Sequence, residues 1–293
     1  MMSTRRNTIR HIPWILCTAL LLSACAVRDI RPDTAYIYWD ENRGKALLEK
    51  AAGVHGAEYW KTLETYEIQL TDQYYGWLGA LASPYPGRQA TLQLQYIPGS
   101  FTGRARFDSG KWMDRVWGLQ SWQAYVRTPR GKIRQSRQST IAFLLPAYQY
   151  FIEFPLRIIQ APIIAYIGSS QENQVTYERV FVTWKRVKAS KAFDQFVVWI
   201  NTQNGRIDKI EYTLRERHPS LRATAYFKHY TRYGNGLLLP QVVSITTPLR
   251  AGKWLHEWQL SGFVPNPVAR EELGPLPHLP LSTGSAKPIQ VQK

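Results

Sequence analysis

The sequence predicts a mainly-β (α+β) domain in which an antiparallel meander is preceded by one short helix and interrupted by one apolar helical segment. Three observations carry that prediction. From Tyr66 onward apolar residues recur at every second position, the period of a strand with one buried face. Turn-forming groups separate many of these runs, and strands joined by short turns pair antiparallel. Between residues 139 and 168 the alternation stops, and the chain carries few polar side chains.

The first ordered element should be a helix. Asp40 suits its N-cap, Leu47, Leu48, Ala51 and Ala52 fall on one stripe of "ENRGKALLEKAAG", and Gly53 is placed to stop it. Tyr66, Ile68 and Leu70 begin the sheet, followed by Leu92, Leu94 and Tyr96, then by Phe101, Ala105 and Phe107. Further strands are expected in "DRVWGLQSWQAYVRT", "QVTYERVFVTW", "FDQFVVWINT", "RIDKIEYTLRE", "ATAYFKHYTR", "LLLPQVVSITT" and "KWLHEWQLSGF". In "QFVVWI" both parities are apolar, so that strand should be covered on both faces. After Pro265 the chain is rich in proline without periodicity, so residues 264–293 are expected to form an extended or disordered tail.

The segment 139–168 has four strongly polar side chains after Thr140: Gln149, Glu153, Arg157 and Gln160. Their spacing puts them on one narrow helical stripe, and Pro146, Pro155 and Pro162 should start or kink the helix into pieces. The rest of its surface is apolar, more than packing on a sheet requires. Three readings fit: a buried core helix, the wall of an apolar cavity, and a membrane-surface helix. If it walls a cavity, Phe143, Leu144, Tyr148, Phe151, Phe154, Ile158, Ile159 and Ile163 are the candidate ligand-binding residues.

At the N-terminus, Arg5, Arg6 and Arg10 precede "IPWILCTALLL" without an acid, the basic and apolar parts of an export signal. The apolar run is too short to span a bilayer stably, which takes about 20 residues. Leu22-Ser23-Ala24-Cys25 then resembles the lipobox of bacterial lipoproteins, which implies cleavage after residue 24 and acylation of Cys25. An ordinary secretory signal cut near Ala24, or an uncleaved helix, is the alternative. Cys17 falls within the removed segment, so Cys25 would have no disulfide partner and is better explained as an attachment point. Ala26 and Val27 follow in place of an inner-membrane-retaining aspartate, so the expected location is the periplasmic face of the outer membrane of a Gram-negative bacterium.

Residues 1–24 are thus a lipoprotein signal, 25–39 a lipidated tether and 40–263 the folded domain. Removing the signal takes the formal charge from +16 to +13. Much of it gathers in residues 127–138, 185–191 and 215–222, either as solvated loop tips or as contacts for lipid phosphates.

The combination of "ALLEKAAGVHGAEYWKTLETYEIQ", "FDSGKWMDRVWG", "VVWINTQNGRIDKIEYT" and "YTRYGNGLLLPQVVSI" resembles the LolA-like outer-membrane lipoprotein-carrier superfamily. His55-Gly56, Trp60, Gly236 and Pro240 match its pattern, while Asn201 stands where relatives often have aspartate in a turn. The resemblance implies a curved antiparallel half-barrel whose concave face is plugged by helices, with acyl chains held between. Cys25 would place the chain among the membrane-anchored members.

Enzyme constellations fail their own spacing tests. "GSFTG" has its serine one place early for a nucleophile elbow, "HEWQL" lacks the second histidine of a zinc site, and "GNGLLL" lacks the third glycine of a dinucleotide loop. No catalytic residue, metal ligand or cofactor site is therefore assigned, and His55 is read as part of the helix-to-strand corner. The charge and aromatic content would suit nucleic acid, but the export signal argues against it, and the tryptophans fall in or beside strands as core residues do. The expected function is non-enzymatic binding of an apolar ligand, a lipid or the acyl chains of a lipoprotein. An assembly or scaffold lipoprotein with an envelope protein partner is the alternative, and an envelope hydrolase the third reading.

Overall fold

The computed structural model describes residues 27–281 apart from Asn235 and Ala251. Cys25 and the signal lie outside them. Five α-helices are described: α1 (Glu41–Val54), α2 (Ala57–Trp60), α3 (Gly76–Ala82), α4 (Ser139–Ile152) and α5 (Phe154–Ile158). The strands before α4 are β1 (Tyr66–Tyr74), β2 (Gln89–Tyr96), β3 (Gly103–Phe107), β4 (Val116–Gln120), β5 (Gln123–Arg127) and β6 (Ile133–Gln135). After α5 come β7 (Ile163–Glu172), β8 (Val175–Thr183), β9 (Gln195–Asn201), β10 (Ile207–Thr213), β11 (Arg222–Tyr233), β12 (Leu237–Thr246) and β13 (His256–Pro265).

Among the described residues all thirteen strands form one antiparallel sheet, in the order β6-β5-β4-β3-β2-β1-β13-β12-β11-β10-β9-β8-β7. Each half is a meander, and the halves meet where β1 pairs with β13. The curved sheet stays open, because its edge strands β6 and β7 do not pair. Helices α4 and α5 carry the chain from one edge to the other across the concave side.

Period-two alternation explains most of the strands. β1 alternates strictly, with Tyr66, Ile68, Leu70, Asp72 and Tyr74 on its buried face. Phe101 is not part of a strand: its φ of 55° places it in the β2–β3 loop, and β3 starts at Gly103. The run "DRVWGLQSWQAYVRT" is two strands, folded back at Ser121 and Trp122, whose φ values of 46° and 63° are those of a two-residue hairpin turn.

Asp40 caps α1 by accepting from the Arg43 backbone N–H (2.9 Å). Gly53 does not end that helix. It continues to Val54, and the left-handed residue is Gly56 (φ 83°), where a methyl group would also lie 2.8 Å from the Gly236 carbonyl oxygen. At Gly44 the helix crosses β7 so closely that a β-carbon would meet the Tyr166 backbone nitrogen at 2.6 Å.

The segment 139–168 differs from one kinked helix. α4 runs unbroken through Pro146, Pro155 starts α5, and Ile163 begins β7, an edge strand to which the Ile-Ile-Ala-Tyr-Ile run is suited. The double-sided β9 strand is explained by the chain itself. Val197 and Trp199 lie on the convex face under Ile30 and Ala35, in a second apolar cluster with Ile167 and Phe181. At the other end of the chain, Leu273 and Leu276 are buried, and Gln120 Nε2 donates to the carbonyls of Leu276 (3.1 Å) and Leu279 (2.8 Å).

Candidate ligand cleft

The polar stripe of the helical segment points inward. Gln149 Nε2 donates to the Ile97 carbonyl (2.8 Å) and to Glu153 Oε1 (2.7 Å). Glu153 Oε2 accepts from the Gly99 N–H (3.0 Å) and from Arg157 Nε (2.8 Å), and the Arg157 guanidinium lies 3.8 Å from the Phe101 ring centroid. All three side chains are buried, and together they clamp the helices onto the β2–β3 loop, while Gln160 is exposed. A buried carboxylate is tolerable only when its lone pairs are met this way.

With the polar stripe engaged there, the opposite face of α4 is left for an apolar cleft of about 340 Å³ between α4, α3, the end of β1 and the strands β10 to β13. Phe143, Leu144, Ala147 and Phe151 form its helical wall, and Leu78 and Ala82 of α3 close one side. Its strand wall includes Tyr74, Tyr212, Ile245 and Trp258, whose indole packs edge-on against Phe151 (5.3 Å). Arg217 stands at the rim with its guanidinium 3.9 Å from the Phe143 ring centroid.

Of the eight candidate residues, Phe143, Leu144 and Phe151 line this cleft. Tyr148, Phe154 and Ile158 are buried in the core beside it, with 1% or less of their surface exposed. Ile159 packs partly buried against the same core, and Ile163 belongs to β7. α4 is thus both core helix and cleft wall.

A polar cluster that belongs to no sequence motif lies against the cleft. Asp72 is fully buried, and its Oδ2 accepts from the hydroxyls of Tyr148 (2.9 Å) and Tyr85 (3.1 Å), which also touch each other. Its Oδ1 lies 3.1 Å from Nδ1 of His256, a cleft residue stacked on Tyr74 at 4.7 Å. Burial, reinforced by the Asp72 carboxylate, raises the pKa of both phenols well above its usual value, so they remain donors. The clue was available in β1, where the strict alternation puts an acid at an inward position. Among the described residues no group of three or more His, Cys, Asp or Glu side chains could hold a metal ion, and no helix is long and apolar enough to cross a membrane.

No family model matches the sequence, and no curated protein matches it either. Solved structures do. A LolA superfamily protein from Nitrosomonas europaea superposes with a TM-score of 0.50 at 10% identity, covering 78% of this chain and 96% of that one. A domain assigned to outer membrane lipoprotein sorting, from Vibrio parahaemolyticus, gives a TM-score of 0.55 at 12% identity, covering 80% and 97%. The fold is LolA-like.

His55, Gly56 and Gly236 of the LolA-like pattern meet at one corner. His55 Nε2 accepts from the Ile207 N–H (3.1 Å), its Nδ1 faces the Leu238 carbonyl (3.3 Å), and Gly56 packs on Gly236. Burial lowers the His55 pKa to about 4, so the ring is neutral and both nitrogens serve the backbone. Trp60 is buried edge-on against Tyr66 (5.0 Å). In the LolA-like hairpin turn, Asn201 Oδ1 accepts from the Gln203 N–H (3.0 Å) and its Nδ2 donates to Asp208 Oδ2 (2.8 Å). Aspartate could make the first of these bonds but would repel Asp208 in the second.

Proposed function

We propose that this protein is a lipid-anchored protein of the bacterial envelope that holds an acyl chain in the cleft between α4 and the concave sheet. The observation that carries the proposal is the cleft itself, a largely apolar space against a helix whose polar residues are engaged elsewhere. Taking a methylene as near the ~30 Å³ share of a water, the space admits about ten of them. That suits one acyl chain, from a lipid or from a lipoprotein. The assignment of the structurally similar Vibrio parahaemolyticus domain to lipoprotein sorting fits such a ligand.

Acylation of Cys25, removal of residues 1–24 and a place on the outer membrane's periplasmic face belong to the same proposal. They rest on the lipobox-like sequence and on the residues that follow it. Two or three acyl chains on one residue anchor firmly where a single chain does not. Residue 27, the first of the described residues, then lies close to the membrane.

The dense packing of Tyr148, Phe154 and Ile158 supports a second reading, a scaffold lipoprotein whose interior is filled by its own side chains and whose partner is another envelope protein. Solvent extraction of the mature protein separates the two. The mass of the Cys25 peptide accounts for covalent chains, and the remaining lipid should approach one amphiphile per protein. Lipid-free protein would overturn the binding reading and favour the scaffold.

A further inference from the structure

The mouth of the cleft is bordered by large apolar side chains that are mostly exposed. Trp77, Leu81 and Leu249 expose 68%, 77% and 79% of their surface. They belong to one rim: a β-carbon on Gly76 would touch the Arg250 guanidinium, so the start of α3 meets the 248–250 turn. Leu78 and Ala82, on the neighbouring face of α3, line the cleft together with Leu249.

Two further observations say what lies over this rim. Its charge is positive: residues 214–222 and 247–254 carry five Arg or Lys and a single acid, Glu216. The chain also enters the fold here. Arg28 donates its backbone N–H to the Pro219 carbonyl (3.3 Å), and it shares a surface depression with Arg222, Pro248 and Leu249. Cys25 precedes Arg28 by three residues, a reach of roughly 11 Å even when extended. An acyl anchor on Cys25 therefore holds the rim at the bilayer.

We propose that Trp77, Leu81 and Leu249 bed in the interface of an anionic bilayer, so that the cleft opens onto the leaflet and its ligand enters without crossing water. The orientation rests on the acylation of Cys25 proposed above. Tryptophan and leucine at headgroup depth, ringed by cations, are what such an interface selects. A second exposed apolar stretch, Tyr36 to Tyr38, lies beside Gly168 near the β7 edge and supplies the competing orientation.

Because the mature chain would carry no free thiol, single-cysteine variants report the geometry. Leu81→Cys, Leu249→Cys, Ile37→Cys and Gln203→Cys, in the acylated protein, are placed in vesicles of phosphatidylethanolamine and phosphatidylglycerol and treated with a charged maleimide. Each rate is normalised to the same variant in urea. Leu81→Cys and Leu249→Cys should react roughly ten-fold more slowly than Ile37→Cys and Gln203→Cys, since the interface excludes the charged reagent. Equal rates, protection of Ile37→Cys instead, or protection that appears only on adding envelope proteins would each overturn the proposal.

Mass spectrometry of the same samples checks Cys25, and lipid extraction checks the cleft, so failure of either earlier reading is seen separately. Should Cys25 prove unacylated, flotation with phosphatidylglycerol vesicles decides the matter. The parent should then float, with binding reduced roughly ten-fold in Trp77→Ser and Leu81→Ser. Flotation unchanged by either substitution, or a parent that does not float, contradicts the docking surface.

Discussion

Acid should weaken this fold through His55 in a measurable way. A proton on Nε2 would abolish its acceptance of the Ile207 N–H and place a charge where burial has already lowered the pKa to about 4. The unfolded chain takes up that proton near pH 6.5, so between roughly pH 6.5 and 4 the unfolded state holds more protons and stability falls as pH falls. The full difference of 2.5 pKa units is about 3 kcal/mol, present above the unfolded pKa and lost below the folded one. His55→Gln removes the titration while leaving a side chain that can still bond the backbone. Urea unfolding at about pH 7.5 and about pH 4.5 should show the parent losing about 2.5 kcal/mol more than the variant. Parallel losses in the two proteins would refute the assignment of His55 as a neutral, backbone-bonded corner residue.

Glu153→Ala would leave Arg157 buried without its partner and should cost about 3–5 kcal/mol in chemical unfolding. Ala147→Trp projects into the cleft and should expel bound lipid with little change in unfolding midpoint. Ile159→Trp, away from the cleft, should instead cost about 1–3 kcal/mol by overpacking and leave lipid content unchanged. Asn201→Asp sets a carboxylate against Asp208, whose pKa burial already raises. It should destabilise by about 1 kcal/mol at neutral pH. The penalty exists while both carboxylates are ionised and disappears as pH falls through their raised folded pKa values, which a pH series of thermal midpoints will show.

The sheet was legible because alternation and turn chemistry are local. Tyr66 to Tyr74, the "TQNGR" turn and the Asp40 cap need no knowledge of the rest of the chain. What was illegible depends on partners distant in sequence. The pairing of β1 with β13 joins residues nearly two hundred positions apart. The Ser121–Trp122 turn uses left-handed residues that lack the glycine signal, so the alternation alone looks like one strand where there are two. Helical periodicity put Gln149, Glu153 and Arg157 on one stripe, and only the Ile97–Phe101 loop shows that this stripe faces inward. The same geometry divides the candidate residues: three on the far face reach the cleft, and Tyr148 turns its hydroxyl to Asp72 in the core. Ile163 continues the apolar run of the helical segment, but Pro162 and the β-branched residues after it mark a strand.

The claim that an acyl chain occupies this cleft is tested most directly by photo-crosslinking in native membranes, with a phospholipid bearing a diazirine on its acyl chain and adducts mapped by peptide mass spectrometry. Adducts should fall on the α4 wall, at Phe143, Ala147 and Phe151, and on Trp258 across the cleft, and Ala147→Trp should abolish them in a folded protein. Labelling confined to the outer surface, or labelling of α4 that survives Ala147→Trp unchanged, would contradict an acyl chain in the cleft.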